Sequence, residues 1–134
     1  MLPRELVEEL HQRQAEMYAG GSTDGVVEML AEDIVWHVPG VSPIAGDHRG
    51  HHAVIEYFRT RRRIADNSMR LHPGEMLAED DLVVQRVDGT ALVGGESVSW
   101  KTVGIYRLEA SRIAEVWLVP LDLQQFDRVW RAGV

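Results

Sequence analysis

Cysteine is absent from the 134-residue chain, which excludes disulfide bonds, thiolate nucleophiles and zinc–thiolate centres in one step. The expected compartment is accordingly the reducing cytoplasm. Long apolar runs are missing too. None approaches the roughly 20 residues that a bilayer-spanning helix needs, so no membrane partner is expected. The segment Met1-Leu2-Pro3-Arg4-Glu5 leads straight into an amphipathic pattern, without the apolar stretch of a signal peptide. Positive charge is in short supply. Fourteen Lys and Arg stand against twenty-one Asp and Glu, a net charge of −7, and no nucleic-acid partner is expected of such a chain. A small, apolar or weakly polar molecule suits it better. No internal repeat, low-complexity tract or linker interrupts residues 1–134, which read as one domain. What is plentiful is core-forming material. Hydrophobic residues make up 45% of the chain, and at this length roughly two thirds of the unfolded surface can be buried.

Leu6, Leu10 and Met17 recur at helical spacing, with Val7 and Tyr18 beside them, and predict a helix from Pro3 to about Ala19. Pro3 suits a first turn, and Gly20-Gly21 ends the element. Ser22-Thr23-Asp24 offers caps for a short helix carrying Val26, Val27, Met29 and Leu30. Ile34 to Val38 predicts a strand stopped by Pro39-Gly40, and Val41 to His51 reads as a loop. A third helix is expected from about His52 to Arg63, with Val54, Ile55 and Phe58 on its buried stripe. Strands near Arg70–Ala78, Leu82–Asp88 and Ser97–Leu108 follow, with Glu79-Asp80-Asp81 and Asp88-Gly89 as turns. A last strand from Arg112 stops at Pro120. Asp122 then stands where a helix N-cap belongs, and Gln125 three residues on completes a capping-box pattern. The order ααβαββββα, with helices early and antiparallel strands late, predicts an α+β fold.

Ile34-Val35-Trp36-His37-Val38-Pro39-Gly40, Ile44-Ala45-Gly46, Arg49-Gly50 and the run from Arg112 to Trp130 together resemble the SnoaL-like branch of the nuclear-transport-factor-two-like superfamily. The resemblance spans the chain from the first helix to Trp130, and it rests on the order and spacing of motifs that are individually short. It implies a cone: a strongly curved, mostly antiparallel sheet with N-terminal helices closing one end over an apolar cavity. It implies no single reaction. Among relatives of this kind, ketosteroid isomerases use a carboxylate base with a tyrosine and a protonated aspartate as oxyanion donors. Comparison anchored on Asp24-Gly25 puts Gln14 at the tyrosine and Val38 at the base; anchoring on Tyr106-Arg107-Leu108 puts Gly104 at the second donor. Val38 accepts no proton and Gly104 has no side chain, so isomerase activity of that type is not expected.

The same comparison names the residues expected to line the cavity. Trp36 and Val38 share one face of the first long strand, and Trp100, Thr102 and Tyr106 share one face of a later one. Tyr57 and Phe58 on the third helix, and Gln85, take positions that line the pocket in the isomerases. The resulting ligand-binding set is Trp36, Val38, Tyr57, Phe58, Gln85, Trp100 and Tyr106, an aromatic wall with few polar groups. The competing reading is that these rings simply fill the cone.

Candidates for chemistry are sparse. His37 is read as an outward structural histidine, or as a wall residue if a bulge intervenes. His72 could serve as a base near neutral pH, although nothing in the sequence pairs it with a carboxylate. Glu115 and Trp117 share a face with Ile113 and Val119, and the comparison puts that face outward. A bulge reversing the parity would make Glu115 the cavity's carboxylate and leading catalytic candidate. Asp47-His48-Arg49-Gly50-His51-His52 has imidazoles at metal-binding spacing, but Gly50 interrupts it, and neither a metal nor another cofactor is expected. Arg59, Arg61, Arg62 and Arg63 close a helix, where positive charge complements the dipole, and are read as solvated.

Two functions stay open. One is a small-molecule-binding domain that lacks the isomerase residues. The other is an enzyme of cyclase, isomerase or dehydratase type acting on a small apolar carbonyl compound. A limonene-epoxide-hydrolase-like role is weaker, because no acid–arginine–acid trio falls on inward positions. An outward Trp117 with Ile113, Val119 and Ile105 predicts a homodimer through the sheet.

Overall fold

In the computed structural model, which describes residues 1–131, the amphipathic stripe of Leu6, Val7, Leu10, His11, Gln14, Met17 and Tyr18 forms the buried face of helix α1, Pro3–Tyr18. Residues 132–134, the end of the expected domain 1–134, lie outside the described residues. Glu5 reaches back to accept the Leu2 backbone N–H at 2.9 Å, which satisfies one open donor of the first turn. Helix α2, Asp24–Val27, follows with its first N–H capped by the Ser22 hydroxyl at 3.1 Å. Strand β1, Leu30–Val38, then leads through a tight segment into β2, Gly46–Arg49, and helix α3, Gly50–Ile64. Strands β3, Arg70–Glu79, β4, Leu82–Val93, β5, Glu96–Glu109, and β6, Arg112–Pro120, precede the final helix α4, Leu123–Arg131.

The six strands form one curved, unclosed sheet in the order β2-β1-β6-β5-β4-β3. Every pairing is antiparallel except β1 with β6. This is the expected α+β cone, with α1 and α3 packed into its concave side against β3, β4 and β1. Alternation along β4 and β5 drives the assignment of faces. Val83, Gln85, Val87, Gly89, Ala91 and Val93 point inward, as do Trp100, Thr102, Gly104, Tyr106 and Leu108. Phe58, Trp130, Phe126 and Tyr18 are the largest side chains that this arrangement closes off from solvent, each contributing on the order of 1.5–3 kcal/mol by burial.

Three expectations are corrected here. The stretch Val41–His51 is not wholly loop, because Gly46–Arg49 pairs with Val35–Val38 as an edge strand. Four residues without an apolar run give no strand pattern by themselves; the neighbouring β1 supplies the template. Asp88-Gly89 is not a turn. The strand runs on to Val93, and Gly94-Gly95, both at positive φ, make the β4–β5 hairpin. Gly89 instead lies beneath the Trp100 indole of the adjacent strand, its direct pairing partner, and an added Cβ there would overlap that ring.

The third correction concerns Ile113, which is fully buried rather than outward. Along β5 the pairing steps from Arg107 to Leu108, while along β6 it steps from Glu115 to Ile113. Ala114 is therefore the extra residue of a bulge, and it returns Ile113 to the core side. Beyond the bulge Val116 points inward, and Glu115 and Trp117 point outward.

Candidate functional site

The expected wall residues converge on the inside of the cone. Trp36, Val38, Tyr57, Phe58, Gln85, Trp100 and Tyr106 are all at most 5% exposed. They lie ring against ring. Trp36 meets Phe58 edge-on at 5.2 Å and Tyr57 at 5.8 Å, and Tyr57 meets Phe58 at 5.4 Å. Open clefts lie elsewhere on the surface. One, of about 560 Å³, is lined by Ser68, Arg70, Thr90, Leu92, Ser97 and Ser99. A smaller one of about 270 Å³, between Ser99, Lys101, Leu121 and Gln125, reaches the edge of Trp100.

At one end of the interior, α1 contributes His11 and Gln14. His11 Nε2 lies 2.8 Å from Gln85 Oε1, and His11 Nδ1 lies 3.2 Å from Gln14 Oε1. Gln85 donates its own N–H to Gly74 O at 3.0 Å, which fixes its oxygen toward the histidine. A neutral His11 therefore donates from Nε2 to Gln85, and its bare Nδ1 is matched only when the Gln14 amide turns its N–H toward it. Burial pushes the His11 pKa down, against the raising effect of the two glutamines, so the ring is neutral at pH 7. Tyr106 stands edge-on to it at 5.8 Å. Sequence reasoning missed His11, although it occupies the same helical stripe as Val7, Leu10 and Gln14.

The isomerase-equivalent positions carry none of that chemistry. Gln14 is engaged by His11, Val38 is buried, and the space a side chain would need at Gly104 is filled by Tyr106, whose hydroxyl would lie 2.5 Å from an added Cβ.

At the other end sits Arg61, and it overturns the reading of Arg59–Arg63 as a solvated group. Arg59 is exposed beside Glu56, and Arg62 ties α3 to the Met17 and Gly21 carbonyls at 3.2 and 2.7 Å. Arg61 is only 4% exposed. It falls one turn after Tyr57 and Phe58 on the buried stripe of α3, so helical geometry carries it inward. Its guanidinium lies 4.9 Å from the Trp130 ring centroid, 5.6 Å from Trp100 and 5.8 Å from each of Tyr18 and Tyr57. It donates to the Tyr57 hydroxyl at 2.9 Å. Burial opposes its charge, but the Tyr57 and Tyr18 hydroxyls outweigh that and hold it protonated. The same burial pushes both phenols above their ordinary pKa, the arginine only partly offsetting it, so they stay neutral. No acid among the described residues forms an ion pair with Arg61. Among the described residues, the one buried carboxylate is Asp127, which accepts the Val41 N–H at 3.1 Å.

Among the described residues, five buried polar atoms inside the cone meet no hydrogen-bond partner in good geometry: Tyr18 Oη, Trp36 Nε1, Arg61 Nε, Trp100 Nε1 and Trp130 Nε1, although Tyr18 lies beside Arg61 and Trp36 beside the Tyr57 hydroxyl. Four belong to Arg61 and rings around it. Buried polar groups are normally satisfied, and each orphan costs about 1–3 kcal/mol.

The remaining sequence candidates lie outside this interior. His37 is on the outer face, with Nδ1 2.7 Å from Asp47 and Nε2 2.6 Å from Glu115, and it stacks on Trp117 at 5.4 Å. Glu115 also takes Arg107 at 3.3 Å. His72 is exposed and bonds to Thr90 Oγ1 at 3.0 Å. His48 and His51 bond to separate carbonyls, those of Ile44 and of Leu30 and Ala31. No group of three or more metal-ligating side chains assembles among the described residues.

The outer cluster has a defined pH dependence. Partial desolvation lowers the His37 pKa, but the hydrogen bonds and charges of Asp47 and Glu115 outweigh it and raise it overall. The Glu115 and Asp47 values are lowered, first by the His37 hydrogen bond. A raised histidine contributes stability below its unfolded pKa of about 6.5 and loses it as pH climbs through the folded value. The melting temperature of His37→Gln is thus expected to trail wild type most near pH 6 and to approach it by pH 9. A gap that widens with pH would contradict the assignment.

A sequence profile of the SnoaL-like domain matches residues 11–116. No relative is matched among curated proteins. Among solved structures, Bal32a from a soil-derived mobile gene cassette is similar at 25% identity and a TM-score of 0.83, covering 96% of this chain and 99% of that one. A protein of the nuclear-transport-factor-two-like class from Burkholderia pseudomallei gives 24% identity and 0.82, with 96% of both chains covered. TerC, co-crystallised with polyporic acid, gives 17% and 0.82, over 95% of this chain and 96% of its own. No helix of the described residues is long and apolar enough to cross a membrane.

Proposed function

The chain belongs to the SnoaL-like domain family, and from that premise we propose that it binds a small molecule inside its cone without transforming it. The observation that carries this reading is the set of unpartnered polar atoms gathered around Arg61. A protein that only filled its cone would place apolar side chains there, since a buried charge without a paired acid is strongly unfavourable. Aromatic walls with a few convergent polar groups are the usual make-up of a ligand site. The cleft beside Trp100 abuts the ring that packs on the guanidinium. TerC, which shares the fold, was co-crystallised with polyporic acid.

The alternative, a cyclase, isomerase or dehydratase, needs a base within reach of the substrate. His11 is the titratable base inside, and both its nitrogens are held by glutamines. Glu115 and His37 neutralise each other outside. Native mass spectrometry of the protein purified from its host tests the binding reading. The expected result is a mass increment that disappears on denaturation. Bare protein, together with no thermal shift across a panel of small aromatic compounds, would remove it.

The site is read as belonging to a homodimer. Trp117 is half-buried and Val119 is 41% exposed on the outer face, beside half-buried Val103 and Ile105, and a monomer would leave this surface wet. Ile113 takes no part, being inside. Sedimentation equilibrium at micromolar concentration is expected to return twice the chain mass, and Trp117→Glu to return the monomer. A wild-type monomer would end the idea.

A further inference from the structure

Four of the five orphaned atoms are of one chemical kind. The indole Nε1–H groups of Trp36, Trp100 and Trp130 and the Arg61 Nε–H donate and cannot accept, whereas the Tyr18 hydroxyl can do both. Of the acceptors nearby, Tyr57 Oη takes Arg61 and Gln85 Oε1 takes His11. The interior is therefore richer in unmet donors than in free acceptors, and among the described residues it carries one positive charge with no acid paired to it. A neutral hydrocarbon would leave every one of these groups unsatisfied. A cation would be repelled. What completes the site is a guest that brings acceptor oxygens and a negative charge.

Shape narrows the class further. The walls about Arg61 are the flat faces and edges of Tyr18, Tyr57, Trp100 and Trp130, spaced 4.9–5.8 Å from the guanidinium carbon. Such walls suit a planar unsaturated ring better than a branched aliphatic acid. We infer that the ligand is a flat organic anion, an aromatic carboxylate or an acidic enol, seated with its oxygens on Arg61 and the indole N–H groups of Trp100 and Trp130. The inference rests on the reading of the cone as a small-molecule site and departs from the expectation of an apolar or weakly polar guest. The chain's net charge of −7 gives no long-range attraction for anions, so selectivity resides in the buried contacts.

The test compares two probes of nearly equal shape, naphthalene-2-carboxylate and its neutral isostere naphthalene-2-carboxamide, by tryptophan fluorescence titration at pH 7. The carboxylate is expected to bind at least tenfold more tightly. Raising the salt concentration from 50 to 500 mM should change its affinity less than threefold, because a buried pair is poorly screened whereas an anion on surface arginines would be released. In Arg61→Met the preference for the carboxylate should vanish while the amide still binds, and Arg61→Lys should retain part of it. Equal affinity of the two probes for wild type would overturn the anion assignment and leave the small-molecule reading standing. An anion preference undiminished in Arg61→Met, or one abolished by salt, would place the anion elsewhere and overturn it too. Failure of both probes to bind at millimolar concentration would bring down the small-molecule reading and the anion with it. The wild-type comparison decides the matter even where a variant does not fold.

Discussion

Arg61→Met is expected to melt several degrees above wild type in the absence of ligand. Taking a guanidinium out of water costs several kcal/mol, and here the Tyr57 and Tyr18 hydroxyls and four surrounding rings oppose the loss. The rings offset part of it. Desolvated cation–π contacts reach about 2 kcal/mol, but three of these four lie at 5.6–5.8 Å, close to the outer limit of the interaction. Methionine fills a similar volume, keeps sulfur–aromatic contacts and leaves no charge to solvate. Replacing buried ionic groups by apolar ones has the sign proposed and a size of about 1–4 kcal/mol. Differential scanning calorimetry of both proteins reads it. A lower melting temperature for the variant would mean that the aromatic cage alone compensates the charge, and that Arg61 is a structural residue.

Gly89→Ala should be the most damaging single methyl in the sheet. Gly89 lies directly across from Trp100, and the indole lies over it closely enough that an added Cβ would overlap the six-membered ring and Nε1. Trp100 cannot retreat inward, since its other side packs on Trp130 at 5.1 Å and on Arg61. Overpacking of this kind costs about 1–3 kcal/mol, and the methyl here meets a rigid ring rather than a flexible chain end. Urea denaturation is expected to show a loss near the top of that range, with probe binding weakened in step. A loss below half a kilocalorie per mole would show that the indole shifts freely. The neighbouring Gly104, covered by the Tyr106 ring, should respond in the same sense.

These two positions also show where sequence reading succeeds and where it stops. Local rules held where the signal was local. Leu6 to Tyr18 gave the first helix by periodicity, and Asp122 does cap the last, accepting the Gln125 N–H at 3.1 Å. The reciprocal half of that box is absent, because the Gln125 side chain turns to the Ser99 carbonyl. Asp88-Gly89 has turn chemistry, yet its glycine is demanded by an indole eleven residues away, which no local rule can see. Ile113 changed face because of one extra residue in β6, and strand parity has no memory across a bulge. Arg61 and His11 were legible in principle. Each lies on the buried stripe of its helix, and each was passed over because polar residue types are ordinarily assigned to solvent. The inward set of Trp36, Tyr57, Phe58, Gln85, Trp100 and Tyr106 followed from resemblance and strand alternation together; the polar character of what they surround did not.

The position of Trp130 has a consequence for rates. Its ring, carried on the last helix, already occupies the face of the Arg61 guanidinium and is fully closed off from solvent. A ligand aimed at that cation competes with a side chain of the protein itself, so its binding requires the indole to be displaced from the guanidinium. Apparent affinity is then the intrinsic affinity scaled by the fraction of molecules with the indole displaced. Association should saturate at a ligand-independent opening rate in stopped-flow experiments, and shortening the indole in Trp130→Leu should accelerate it. On the anion proposal, the tryptophan is a resident competitor whose departure sets the upper limit on the rate of binding.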